Sequence, residues 1–246
     1  MRFMLMHKTN AANEAGIRPS QELIAGVGRM IGEMSRAGVF RAGEGLRASS
    51  LGVRLQFCDG VRTVTPGPFV GRHELPAALC VLRVRSREEA VEWASRFAAA
   101  VGDAEVDIRP VTEPWDLGFG EKPKGDPTTR YMAVLKADAT SEAGGLLTPQ
   151  ARAAIARVID QSKSAGVFVT AEALHPSARS KRIHVAGGKH TVLDGPFAES
   201  KELIAGFVTL EVPSMVEAMA WAPRYAEILG DVELDVRPLF ETEELR

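Results

Sequence analysis

Val192-Leu193-Asp194-Gly195-Pro196-Phe197-Ala198-Glu199-Ser200-Lys201-Glu202-Leu203-Ile204-Ala205-Gly206-Phe207 is a Gly-Pro turn between two apolar runs, and it has a partial copy earlier in the chain. The copy reads Val64-Thr65-Pro66-Gly67-Pro68-Phe69-Val70-Gly71-Arg72-His73-Glu74-Leu75. Phe69 and Phe197 are 197 − 69 = 128 positions apart, and the same offset aligns Arg2 with Arg130, Gly38-Val39-Phe40 with Gly166-Val167-Phe168, Glu44 with Glu172, and Trp93 with Trp221. It also aligns Asp107 with Asp235, and Arg109-Pro110 with Arg237-Pro238. A constant offset over a whole domain length indicates a tandem duplication rather than a solenoid of short units. Two copies in one chain then point to a pseudo-dimer. The expected division is a first domain over 1–113, a linker over 114–128 and a second domain over 129–246; the linker is rich in Pro, Gly and charge.

Within each copy the hydrophobic spacing alternates between strand and helix. Opening strands are expected over about Arg2–His7 and Tyr131–Lys136. Ser20 and Thr148 stand where helix N-caps belong, and Pro149 suits the first helical position. Ile24, Val27, Ile31 and Met34 recur three and four apart, and Gly38 and Gly166 fit the helix stops. A hairpin follows in each copy, turning at Asp59-Gly60 and Gly187-Gly188, which accept the positive φ angles such turns need. Ser86-Arg87-Glu88-Glu89 and Ser214-Met215-Val216-Glu217 read as capping boxes of a second helix, which Pro223 should end or kink in the second copy. Strictly alternating strands, Glu105–Arg109 and Glu233–Arg237, close each copy. The pattern is β-α-β, hairpin, β-α-β, a split βαβ of ferredoxin-like type, and therefore an α+β fold. The expected arrangement is helices on one face of an antiparallel sheet in each copy, with the two copies covering each other's remaining faces.

Composition narrows the function classes. The chain has 246 residues, 45% apolar and 25% charged, with a formal net charge of -2, so no basic field favours nucleic acid or an anionic membrane. The apolar run at the N-terminus is four residues, too short for a signal peptide or a span, and a cytoplasmic location is expected. Cys58 and Cys80 are expected to be reduced. No dinucleotide fingerprint, Walker loop, nucleophile elbow or HExxH motif is present, and Gly26-Val27-Gly28 lies inside a helical pattern. No cofactor is expected. His184 and His190 flank the hairpin turn, and two histidines without matching Cys or carboxylate spacing make a weak zinc signal, so no metal is expected either.

Asp194-Gly195-Pro196-Phe197-Ala198-Glu199-Ser200-Lys201-Glu202, preceded by Ala165-Gly166-Val167-Phe168 and Ala171-Glu172-Ala173-Leu174-His175-Pro176, resembles the YCII-related family in its DGPF subgroup. The resemblance covers Arg130–Pro238 closely and Arg2–Pro110 more loosely, as in a tandem two-domain member. It implies two ferredoxin-like domains paired as an intrachain dimeric α+β barrel. It also implies an uncharacterised small-molecule enzyme with a cleft beside the sheet, in which an Asp works with a His. Relatives with that pairing carry the His early in the domain; the first helices here hold none, so the pair does not carry over intact. Members encoded near extracytoplasmic-function sigma factors keep a second reading open, a non-catalytic ligand-binding or protein-interaction module.

Asp194 is the leading candidate for acid/base chemistry, since a carboxylate at a turn above a cleft can serve as a general base. The competing role is to accept the turn's own backbone hydrogen bonds. The first copy has Pro66 there, which places any such chemistry in the second copy alone. His175 is the candidate proton shuttle, with Arg47 in its place in the first copy. Glu172, Lys201 and Phe197 are the candidate substrate contacts, although Glu172 matches Glu44 and a shared structural job suits it as well. Glu199, Lys201 and Glu202 should form a solvated, charge-balanced turn. Arg109 and Arg237 should pair with carboxylates, and Trp93 and Trp221 should pack. The expected partners are an unidentified small molecule and, beyond the intrachain pairing, a further copy of the chain.

Overall fold

The computed structural model describes residues 1–71, 74–197, 200–230 and 232–245. The first repeat runs β1 (Arg2–Lys8), a short α1 (Ala11–Glu14), α2 (Gln21–Arg36), β2 (Phe40–Gly45), β3 (Val53–Cys58), β4 (Val61–Pro66), β5 (Pro76–Val84), α3 (Arg87–Val101) and β6 (Ala104–Pro110). The second runs β7 (Thr129–Lys136), α4 (Ala139–Glu142), α5 (Pro149–Ser164), β8 (Phe168–Ala173), β9 (Lys181–Ala186), β10 (Lys189–Asp194), β11 (Ile204–Glu211), α6 (Met215–Leu229) and β12 (Val232–Pro238).

The local signals act as their chemistry requires. The Ser20 and Thr148 side chains accept from the amides of Leu23 and Ala151, and Ser86 and Ser214 accept from those of Glu89 and Glu217. The Glu89 carboxylate takes the Arg85 amide rather than closing the box on Ser86. Gly38 and Gly166 sit at φ of 73° and 71°, just past the helix ends. Of the two outcomes expected at Pro223, the helix end is corrected: α6 runs through Pro223 to Leu229, with a face carrying Ala218, Ala222, Tyr225 and Ala226 buried along its length. Phe119 of the linker is 57% exposed.

Among the described residues the strands form two six-stranded antiparallel sheets, ordered β10-β9-β12-β1-β11-β2 and β4-β3-β6-β7-β5-β8. The expectation that each repeat closes its own sheet is corrected here. β1 lies between β11 and β12 of the other repeat, and β7 lies between β5 and β6. Each ferredoxin-like unit therefore takes its first strand, first long helix and second strand from one repeat and the rest from the other. The helices follow, α2 packing on α6 and α3 on α5.

Period-two alternation then sorts every strand into two faces. Phe3 and Leu5 of β1 turn outward into a core shared with α2 and α6; Met4 and Met6 turn inward. The second sheet repeats the division, with Val106 and Ile108 packed against α3 and Val134 and Met132 facing inward. Met4, Met6, Leu79, Val81, Met132, Val134 and Phe207 fill the space between the sheets. Bridges Leu46↔Val111 and Leu174↔Leu239 join the sheets at the corners, closing a barrel. The interior is thus an apolar midsection, and the next inward positions are charged on β1 and β7, as Lys8 and Lys136, and on β6 and β12 the inward row carries Asp107 and Asp235.

His7 belongs to the outward face of β1, edge-on to Tyr225 at 6.0 Å, and its Nδ1 is buried without a hydrogen-bond partner. Burial lowers its pKa to about 4. The unfolded chain binds this proton near the ordinary value of 6.5, so stability is complete above that pH and is lost progressively as pH falls toward 4. The full loss is on the order of 3 kcal/mol. The matching residue in the second repeat is Leu135. His7→Leu should therefore raise the urea midpoint at pH 5 and flatten its pH dependence.

Candidate functional site

The Gly-Pro-Phe turns are built the same way twice, and their parts are structural. The amides of Phe69 and Phe197 each donate to a serine hydroxyl, Ser49 and Ser177, at 3.1 Å. Those serines in turn donate to Glu14 and Glu142. A Cβ at Gly67 or Gly195 would collide with the carbonyl oxygen of Ser49 or Ser177. Arg54 and Arg182 lie over the Phe69 and Phe197 rings at 4.8 and 4.2 Å. Arg109 donates to the Ile204 carbonyl at 2.7 Å and pairs with Glu14; Arg237 donates to the Pro76 carbonyl at 2.7 Å and pairs with Glu142. Each arginine so ties its own repeat's turn to the other repeat's backbone, bearing out the expectation that both pair with carboxylates.

Beneath the turns lies a layer of buried charge. In one sheet Lys136 contacts Glu74 and sits 2.8 Å from Asp107, which also takes Arg54 at 2.7 Å; Arg54 reaches Glu74 at 3.2 Å. In the other, Lys8 meets Asp235 at 3.0 Å and donates to the Ser200 hydroxyl at 2.7 Å, while Arg182 meets Asp235 at 2.6 Å. The two matching aspartates are driven opposite ways. Burial raises the Asp107 pKa. At Asp235 burial pulls upward too, but Lys8 and Arg182 outweigh it and the pKa is lowered. Burial, with Arg54 and Lys8 nearby, pushes Lys136 down to about 6. An amine and a carboxyl in contact are so brought closer in proton affinity, a property of acid/base sites. A small cavity, about 10 Å³ and large enough for one water, adjoins this cluster between Leu46, Val134, Leu203 and Ile204. Lys136→Met should leave the Glu74 and Asp107 carboxyls buried without their shared amine partner, costing about 1–3 kcal/mol in urea unfolding.

The inward face of the same sheet continues from this cluster to the surface. Along β3 it carries Arg54, Gln56 and Cys58, and along β6 Asp107 and Glu105. Beyond Glu105 opens a groove of about 290 Å³ lined by Gln56, Phe57, Cys58, Val61, Thr63, Ala104 and Glu105. Glu105 accepts from the Gln56 amide at 2.8 Å and lies 3.3 Å from Arg54, joining the groove wall to the buried layer.

The residues singled out from the sequence are not brought together. Asp194 ends β10 with its side chain 77% exposed, 2.5 Å from Lys181 across the hairpin. His175 is buried at 4%, stacked on Phe240 at 3.8 Å and 2.9 Å from an Arg179 nitrogen. Burial and Arg179 lower its pKa. Glu172 is bound to Arg2 at 2.7 Å beside Glu241, and its counterpart Glu44 to Arg130 beside Glu113, so both belong to a clamp between repeats. Phe197 is buried under Arg182. Lys201 is exposed, and its carbonyl faces Gly71 of the other turn, where a Cβ would clash. Glu199 lies outside the described residues. His184 pairs with Thr191 and His190 with Val185, which turns the two imidazoles to opposite faces of the hairpin. What the motif-led reading missed are the interior ions Lys8, Lys136, Arg54, Arg182 and Glu74, and the hubs Glu14 and Ser49. Their signal was present as identical polar residues 128 apart, such as Lys8 with Lys136, Arg54 with Arg182 and Ser49 with Ser177.

Two ferredoxin-like units closing one charged-layer interior make this an intrachain dimeric α+β barrel, with helices outside and the ionisable groups inside. The YCII-related domain family model matches residues 1–114 and 129–235, and the chain belongs to that family. No curated protein matches the chain. Among the described residues, no helix is long and apolar enough to cross a membrane.

Proposed function

We propose that this protein is a small-molecule enzyme working by proton transfer, with the ligand seated in the groove of β3, β4 and β6 and the proton-handling groups in the row Glu105, Asp107 and Lys136. The observation that carries this reading is Glu105, which forms part of the groove wall while contacting Arg54 of the buried layer. Relative to the expectation from sequence, the chemistry moves from Asp194 to the sheet carrying the first repeat's hairpin. An exposed, lysine-paired carboxylate lacks the burial that tunes a general base, whereas Asp107 has it. The Asp-Gly-Pro-Phe sequence supports placing the chain in the DGPF subgroup, and the composition supports a cytoplasmic location.

A second reading, ligand binding without catalysis, has its own support: Asp107 and Glu74 already have cationic partners at rest. One experiment bears on the site under either reading. Cys58 lines the groove and is exposed, while Cys80 is buried at 7%. A bulky maleimide should therefore modify Cys58 alone. A screen of small polar metabolites by thermal melting should find shifts in the native protein that the blocked protein loses. Equal shifts in both would remove the groove from consideration. Turnover of a hit would then separate the enzyme from the binder.

A further inference from the structure

From the groove's shape and charge we infer that its ligand is a small organic ammonium compound with an apolar body. This deepens the proposed function and rests on the groove being the ligand site. Val61, exposed on the same face as Gln56 and Cys58, supplies an apolar surface, and the Gln56 amide and Thr63 hydroxyl supply neutral hydrogen-bonding groups. The charged member of the wall is Glu105, whose side chain is 31% exposed. A carboxylate has about four lone-pair sites, so after serving Gln56 and Arg54 it can still accept from an ammonium.

The rim is acidic as well. Asp59 follows Cys58, and its amide donates to the Asp103 carboxylate at 3.0 Å. The negative field there raises the pKa of the Cys58 thiol, with Asp59 the larger cause and Asp103 next. The nearest cation, Arg54, is already held by Asp107 and Glu74. Arg62 bridges instead to Glu92 of α3 at 2.7 Å. The second repeat provides a comparison within the same chain. At the positions of Gln56, Cys58, Asp59 and Val61 it has His184, Ala186, Gly187 and Lys189; it keeps the carboxylate as Glu233, but loses a rim acid and the apolar wall residue and gains a lysine. Cation selectivity accordingly belongs to the first repeat's groove.

The test follows amide chemical shifts on titrating the native full chain with benzylammonium, benzyl alcohol and benzoate, three probes of one shape and different charge. Benzylammonium should move the amides of residues 56–63 and 104–105, benzyl alcohol should bind more weakly, and benzoate should not bind. Glu105→Gln, at native melting temperature, should weaken benzylammonium about fivefold, the worth of one partly exposed ion pair. Asp103→Asn should weaken it less, through the field alone. Benzyl alcohol binding in the groove as tightly as benzylammonium, or undiminished binding in Glu105→Gln, would overturn the ammonium assignment and leave the groove as a site. Absence of any groove response to all three probes, together with no effect of the Cys58 block in the metabolite screen, would overturn both.

Discussion

Gly195→Ala is expected to abolish the folded state, or to lower its stability by more than about 4 kcal/mol. An added methyl meets the Ser177 carbonyl, which is backbone and cannot turn aside. The damage spreads because Ser177 is a hub: its hydroxyl accepts from Phe197 and donates to Glu142, and Glu142 pairs with Arg237. Gly67→Ala should behave alike through Ser49. Gly38→Ala is the control. It has open space around it and a positive φ of 73°, so it should cost only about 1 kcal/mol. Urea unfolding of the three variants measures this. A Gly195→Ala protein as stable as the Gly38→Ala one would show that the Gly-Pro-Phe turn is not a structural necessity.

Cutting the linker should leave the barrel whole. The stretch from Phe119 to Gly125 is exposed and joins repeats whose strands are interleaved in both sheets. A protease site inserted after Lys124 would produce two fragments. These should co-elute at the native size and separate only in denaturant, since parting them would strip β1 from β11 and β12, and β7 from β5 and β6. Each also carries ends of the clamps, Arg2 with Glu172 and Arg130 with Glu44. Fragments that separate in native buffer would contradict the exchanged topology. The linker touches the repeats through Arg18 on the Leu117 carbonyl and the ion pairs Arg47–Asp116 and Arg83–Asp126, contacts that a cut after Lys124 leaves in place; the cut removes effective concentration, and its loss should appear as a concentration-dependent melting temperature.

Much of this fold was legible because it is written locally. Caps at Ser20 and Thr148, the glycine stops and the hairpin turns at Asp59-Gly60 and Gly187-Gly188 depend on a few neighbouring residues, and the 128-residue offset repeats them in register. The exchange of strands was not legible for the same reason. β1 presents the same alternation whether it pairs with its own repeat's β5 and β6 or with β11 and β12, and both repeats offer nearly the same partners. The candidate site was harder still. Asp194 drew attention by standing in a motif, yet the motif's recurring part, Gly-Pro-Phe, serves the Ser49 and Ser177 hubs. Asp194 stands where the other copy has Pro66, and its exposed side chain pairs with Lys181 rather than with a turn hub. The interior ions came from strands more than fifty residues apart, Arg54 with Asp107 and Arg182 with Asp235, and only the assembled sheets put them in one layer.

The central claim is that the groove and its carboxylate row form the working site while the motif turn is scaffold. The most direct measurement compares the ligand-dependent melting shift of the native protein with those of Glu105→Gln and Asp194→Ala, both partly or largely exposed positions. The expected result is a shift reduced in Glu105→Gln and kept in full in Asp194→Ala, with the unliganded melting temperatures of all three close together. A shift kept in Glu105→Gln and lost in Asp194→Ala would contradict it and return the chemistry to the turn.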